Sequence, residues 1–146
     1  MAIITKDILL TGIRRDDVFE WMGDPANHDL IVAGAFDTVS GSAGHYELGL
    51  TTPGKKRTMS YRFKSKDDSH GGRRILVDTA GKRTQGQLNF SLRTMKPSTN
   101  TLVTIRMDYS PGGALGGLVN SAGLAQALES GLARMLENIA ASIPKN

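Results

Sequence analysis

The stretch TLVTIRMDYSPGGALGGLV, residues 101–119, changes its periodicity halfway along. From residue 101 to 109 apolar and polar side chains alternate, which is the two-residue period of a strand with one apolar face. After the Pro-Gly-Gly at 111–113, apolar residues recur every three or four positions until Pro144 ends the pattern. This spacing predicts one long helix over 114–143, about 45 Å long. We expect such a helix to lie across a sheet and to cover its apolar face.

Upstream of this stretch, the chain repeats the strand pattern between turn-rich segments. The same alternation occurs at residues 45–50, 58–64 and 87–93. Each segment predicts a strand with one apolar and one polar face, as in an antiparallel sheet that is covered on one side. Residues 2–11 predict a first strand, and a change to helical spacing predicts short helices over 14–22 and 27–32.

Length and composition fit one domain over residues 1–146, because the chain has 39% hydrophobic and 22% charged residues. The predicted fold class is α+β, with about seven antiparallel strands, one or two short helices after strand 1 and a long C-terminal helix. The absence of cysteine excludes disulfide scaffolds, thiolate zinc sites and cysteine nucleophiles. No apolar run approaches the ~20 residues that cross a bilayer, and the opening MAIITKDILL does not have the pattern of a secretion signal. We therefore expect a cytoplasmic protein.

Motifs for nucleotide, metal or hydrolytic chemistry are incomplete in this sequence. GLTTPGKK at 49–56 has the glycine and lysine spacing of a phosphate-binding loop, but it lacks the final Ser or Thr and precedes a predicted strand instead of a helix. His28, His45 and His70 do not have the spacing of metal ligands, and no serine occupies a G-x-S-x-G motif. We expect neither a metal nor a cofactor.

The positive charge is concentrated in residues 55–96, which carry twelve lysines and arginines against three aspartates. An anionic partner or a membrane surface could meet this segment through Lys55, Lys56, Arg57, Arg62, Lys64, Arg73 and Arg74. The alternative is a solvated sheet face that supplies solubility. Strand alternation places Tyr61 and Phe63 on the face opposite to Arg62 and Lys64, so we expect no specific nucleic-acid binding.

Two segments carry a resemblance to the START-like (SRPBCC) superfamily. DDVFEWMGDP at 16–25 resembles the first helix of that superfamily and the turn after it, and residues 101–119 resemble the last strand and long helix of polyketide cyclase/dehydrase-type members. The chain departs from the pattern at Arg14, where a serine-type N-cap is usual, and in NHDLIV at 27–32, which lacks a tryptophan often found there. The resemblance implies a helix-grip fold, in which a curved sheet wraps round the C-terminal helix and a hydrophobic ligand commonly lies between them.

The leading hypothesis is therefore binding or transport of a small hydrophobic ligand, such as a lipid, isoprenoid, polyketide or aromatic compound. The ligand-binding residues are predicted from the inward face of the strands and the apolar stripe of the helix. They are Tyr46, Leu48, Met59, Tyr61, Phe63, Phe90, Val103, Ile105, Met107, Tyr109, Leu128 and Leu132. A buried tyrosine hydroxyl needs a hydrogen-bond partner, which a ligand could supply.

Two alternatives remain open. The first is an enzyme of the cyclase or dehydrase type that uses Tyr46, Tyr61 or Tyr109 as an acid or orienting group in the same cavity. We expect no inward histidine or carboxylate beside these tyrosines, and for that reason binding ranks above catalysis. The second is an interaction module that uses the basic sheet face of residues 55–96.

Overall fold

The computed structural model describes residues 2–52, 55–81, 85–110 and 114–144. The strands are Ala2–Leu10 (β1), Thr38–Ser42 (β2), His45–Thr52 (β3), Lys55–Asp67 (β4), Arg74–Gly81 (β5), Gln85–Met95 (β6) and Asn100–Ser110 (β7). The helices are Arg15–Met22 (α1), His28–Val32 (α2) and Ala114–Ser142 (α3), with 3-10 turns at Pro25–Asn27 and Ser69–Gly71. The predicted bounds of the three helices agree with these to within one residue.

The seven strands form one antiparallel sheet in the order β1-β7-β6-β5-β4-β3-β2. The first strand, β1, pairs with the last strand, β7, and the sheet curls round α3, which contacts β1, β3 and β7. The predicted α+β fold of helix-grip type is confirmed. Within the described residues, no helix has the length and apolar character needed to span a bilayer.

Alternation along the strands divides the sheet into an inner face toward α3 and an outer face toward solvent. The inner-face side chains and the apolar stripe of α3 join in one hydrophobic core, which includes Ile75, Leu88, Leu128 and Leu132. The buried side chains of α1 add Phe19 and Met22 to the same core.

The β2–β3 connection is a two-residue hairpin loop, Ala43-Gly44. Both residues have positive φ, 53° and 87°, as in the type I′ turn that matches the twist of the flanking strands. The turn is held from outside as well, because the Ala43 N–H donates to Asp29 Oδ1 at 2.9 Å. The hairpin therefore anchors the edge of the sheet to α2.

A bulge in β4 lies between Phe63 and Ser65, where the pairing with β5 shifts by one residue. Beyond the bulge, Lys66 faces α1: its ammonium lies 5.1 Å from the centre of the Phe19 ring and 3.1 Å from Glu20 Oε1. One residue of the basic segment is thus used to hold α1 against the sheet.

Candidate functional site

Most of the predicted ligand-binding side chains lie together in the core. Phe63 is half-buried, and the side chain of Tyr109 lies outside the described part of the structure. The buried members are Tyr46, Leu48, Met59, Tyr61, Phe90, Val103, Ile105, Met107, Leu128 and Leu132. Strand alternation and, for Leu128 and Leu132, the apolar stripe of the helix correctly predicted that these side chains point inward, and their contact with a ligand stays a prediction.

One row of the inner face carries hydroxyl groups on three neighbouring strands. Tyr46 on β3 pairs with Tyr61 on β4, which pairs with Thr79 on β5. The two phenol rings meet edge to face with their centres 5.6 Å apart. The next position in the row is Gly86 on β6, so the row changes from two tyrosines to a threonine and a glycine.

His28, the first residue of α2, is fully buried beside this row. Its Nδ1 lies 2.6 Å from Tyr61 Oη and its Nε2 lies 2.8 Å from the carbonyl oxygen of Met22. Because a carbonyl can only accept, Nε2 carries a proton and donates to Met22. Burial lowers the pKa of His28, so the ring is neutral at pH 7 and Nδ1 accepts from the Tyr61 hydroxyl.

Tyr46 has partners of its own at the edge of the row. Its hydroxyl accepts from the Gly44 N–H at 2.9 Å and donates to the Asp29 carboxylate through a short hydrogen bond. This bond is the main cause that lowers the pKa of Asp29. The pKa of Tyr46 is raised, chiefly by burial and secondly by the same hydrogen bond. Both groups therefore keep their ordinary charge at pH 7, the carboxylate ionised and the phenol neutral.

These contacts correct the sequence analysis, because the expectation that no histidine or carboxylate accompanies the tyrosines is wrong. His28 and Asp29 both come from the short helix α2. A signal was present in the sequence: His28, Ile31 and Val32 are spaced three and four residues apart, so they share one face of that helix, and all three are buried. The hydroxyls of Tyr46 and Tyr61 consequently have protein partners and do not require a ligand.

Among the described residues, two buried side-chain atoms have no hydrogen-bond partner: Thr79 Oγ1 and Arg57 Nε. Thr79 follows Tyr61 in the hydroxyl row. Arg57 pairs with the buried Leu50 and lies two residues before the buried Met59, so it is on the inner face as well. Both unpartnered atoms thus belong to the concave side of the sheet.

The basic segment does not form one surface. Lys56, Arg62, Lys64 and Arg74 are exposed, but Arg62 pairs across the sheet with Asp78, and Arg74 lies 2.6 Å from Asp67. Arg73 contacts the Phe19 ring and Asp16 beside α1. Arg57 is on the inner face, and the side chain of Lys55 lies outside the described residues. The grouping of all seven cations on one sheet face is therefore wrong for Arg57 and Arg73.

A groove of about 490 Å³, open to solvent, borders Tyr46. Asp29, Asp37 and Phe36 line it together with valines from α2 and β2. The Asp29 carboxylate already accepts hydrogen bonds from Tyr46 and Ala43, so it serves the hairpin contact.

Within residues 2–52, 55–81, 85–110 and 114–144, no three His, Cys, Asp or Glu side chains come together as metal ligands.

Comparison of the whole fold finds solved structures of the same architecture at low sequence identity. Norcoclaurine synthase from Thalictrum flavum, solved in complex with dopamine and hydroxybenzaldehyde, superposes with a TM-score of 0.61 at 12% identity, over 96% of this chain and 84% of that one. KanY superposes with a TM-score of 0.65 at 14% identity over 98% and 99% of the two chains. A protein from Chromobacterium violaceum gives 0.61 at 14% identity over 98% of each chain.

No protein-family model matches the chain, and no curated protein sequence does so either. The likeness to solved structures therefore concerns the fold. It covers nearly the whole chain and includes the curled antiparallel sheet, the short helices after β1 and the long C-terminal helix. The chain therefore has the helix-grip fold that the resemblance to the START-like (SRPBCC) superfamily implied.

Proposed function

We propose that the protein binds a small hydrophobic molecule between the inner face of the sheet and α3. The observation that carries this proposal is Thr79, which is 3% exposed and whose hydroxyl has no partner among the described residues. A buried hydroxyl without a hydrogen bond costs roughly 1 to 3 kcal/mol. A bound molecule with a polar group at this point would recover that free energy.

The size of the side chains around Thr79 supports the same position. Along the hydroxyl row its neighbour on β6 is Gly86, and two residues further along β5 the inner face carries Gly81. Two glycines and a threonine stand here, whereas the nearby inner-face positions carry Val77, Leu88 and Met59. Small residues occupy less volume on the inner face than these apolar side chains do, which supports a ligand position here, and the neighbouring side chains are apolar, as in most small-molecule sites.

Compounds with a ring or an isoprenoid chain suit this site better than sugars or nucleotides do. The described inner face offers Met59, Leu48 and Leu88 as contact groups and only two unpartnered polar atoms. Norcoclaurine synthase, which shares the fold, has been solved with the small molecules dopamine and hydroxybenzaldehyde. A lipid, isoprenoid, polyketide or aromatic compound is the ligand class we propose.

Catalysis by a cyclase or dehydrase type of reaction is the second candidate, favoured by the pairing of His28 with Tyr61. A neutral imidazole that accepts from a phenol is an acid–base pair in form. However, both ring nitrogens of His28 are hydrogen-bonded to protein atoms, and both residues are fully buried. Neither nitrogen is therefore free to exchange a proton with a substrate. Burial also raises the pKa of Tyr61 and makes the phenol a weaker acid. Binding without turnover therefore ranks first.

Native mass spectrometry tests the proposed function. The purified protein is sprayed from ammonium acetate, both as isolated and after incubation with decanol, farnesol or naphthol. We expect a noncovalent one-to-one complex, either carried through purification or formed with at least one of these compounds, that disappears when the protein is denatured. Absence of any stoichiometric complex in all of these samples would contradict hydrophobic ligand binding.

A further inference from the structure

Arg57 is a cation placed on the apolar side of the sheet. It pairs across β3 with Leu50, which is 4% exposed, and precedes Met59, which is also 4% exposed, by two residues. Adjacent residues of the same strand, Lys56 and Thr58, are exposed on the outer face. The strand alternation therefore fixes the direction of the arginine side chain toward the space beneath α3.

Two other arginines of the basic segment have carboxylate partners. Arg73 lies 3.2 Å from Asp16 and Arg74 lies 2.6 Å from Asp67. For Arg57, by contrast, the described residues provide no ion pair, and its Nε is buried without a hydrogen bond. Arg57 as a whole is half-buried, but its Nε–H is a buried donor without an acceptor, which is unfavourable, and a planar anion is the partner that the guanidinium geometry fits best.

We propose that Arg57 binds the anionic end of the ligand, so that the ligand class is an amphiphile with a carboxylate at one end and an apolar body. This inference rests on the proposed function and names its substrate class. The carboxylate accepts from Nε and a terminal nitrogen of Arg57 in the two-pronged geometry usual for arginine. The apolar body then extends along the inner face past Met59.

The spacing along β4 sets the reach of such a ligand. Arg57 and Tyr61 are four residues apart on the same face, which corresponds to about 13 Å of extended strand. Thr79 pairs with Tyr61, so the second unpartnered atom lies at the far end of this span. A carboxylate ligand anchored at Arg57 would cover Met59 with its apolar body, and a hydroxyl or keto oxygen near its other end would reach Thr79 Oγ1.

The test compares decanoate with decanol, which has the same chain without the charge. Both are titrated by calorimetry into the wild-type protein, into Arg57→Met and into Arg62→Met. Methionine keeps an unbranched, flexible side chain and removes the guanidinium with its charge. Arg62 belongs to the same strand but faces outward opposite Asp78, so its variant is a matched control for the loss of one positive charge.

We expect Arg57→Met to weaken decanoate binding about 10- to 100-fold, the loss of a charge-assisted hydrogen bond. Decanol binding to Arg57→Met and both affinities of Arg62→Met should stay at the wild-type level. Equal decanoate affinity in wild type and Arg57→Met, or an equal loss in Arg62→Met, would overturn the assignment of Arg57. So would a wild-type protein that binds decanol but not decanoate, and in each of these cases hydrophobic binding itself would stand. Failure of the wild-type protein to bind either compound would count against both proposals.

Discussion

Replacement of His28 by alanine is expected to lower the free energy of unfolding by about 3 to 5 kcal/mol. The imidazole is fully buried and packs edge-on against Phe63, with ring centres 5.2 Å apart. Its removal leaves a cavity and takes the hydrogen-bond partner from two buried groups, the Tyr61 hydroxyl and the Met22 carbonyl. Urea unfolding at pH 8 measures the effect.

His45→Ala is the matched control for this variant. His45 is exposed on the outer face of β3, and its loss should change the free energy of unfolding by no more than about 0.5 kcal/mol. Equal stability of the two variants would show that the described contacts of His28 do not hold α2 to the sheet.

The same variant carries a pH signature that separates the histidine contacts from simple loss of volume. Burial lowers the pKa of His28 below its ordinary value of 6.5, against the opposing influence of the Met22 carbonyl and of Asp24 and Asp29. The unfolded chain therefore binds the proton at a higher pH than the folded protein. The contribution of the neutral His28 ring to the free energy of unfolding is fully present above about pH 6.5. It is lost as the pH falls from there toward the lower pKa of the folded state. His28→Ala should lack that part of the pH dependence, whereas His45→Ala should keep it.

Gly44→Ala is expected to cost about 2 to 4 kcal/mol, the sum of a backbone and a packing penalty. Gly44 has a φ of 87°, which a residue with a Cβ adopts at a cost. An added Cβ would lie 2.8 Å from the Cβ of Phe63 and 3.1 Å from that of Pro25. Movement of the loop to relieve this contact would also disturb the 2.7 Å hydrogen bond between the Phe63 N–H and the Gly44 carbonyl.

Gly71→Ala isolates the backbone part of this penalty. Gly71 has a similar φ of 77°, but nothing lies within 4 Å of the position of an added Cβ. Its alanine variant should lose only about 1 to 2 kcal/mol. The two variants are compared by urea unfolding under the same conditions. An effect at Gly44 no larger than that at Gly71 would contradict the close packing of the hairpin on Phe63 and Pro25.

Most of the architecture could be predicted because it depends on local periodicity. Two-residue alternation correctly placed Leu48, Met59 and Met107 on the inner face. The three-and-four spacing after residue 113 gave the length of α3. In both cases the polarity of a side chain indicates whether its position is buried or exposed. A short segment of the sequence is therefore enough to determine the period.

The candidate site was harder to predict from the sequence, because its contacts join residues that are distant along the chain. The bond between His28 and Tyr61 spans 33 residues, and nothing in the local sequence around either residue indicates the other. The bulge in β4 shifts the register at Phe63 and turns Lys66 toward α1, which alternation alone places elsewhere. Arg57 is a different case, because strand alternation with Met59 indicates the inner face, whereas its charge alone suggests a place among the exposed cations.

Methyl NMR of the methionines tests whether the inner face of the sheet binds a hydrophobic ligand. Met59 lies on that face between Arg57 and Tyr61, whereas Met95 lies at the end of β6 and is half-exposed. With labelled methionine methyl groups and increasing decanol, we predict a saturable shift of the Met59 signal at one equivalent and no shift of Met95. An unchanged Met59 signal, or shifts of Met59 and Met95 that rise together without saturation, would contradict the claim.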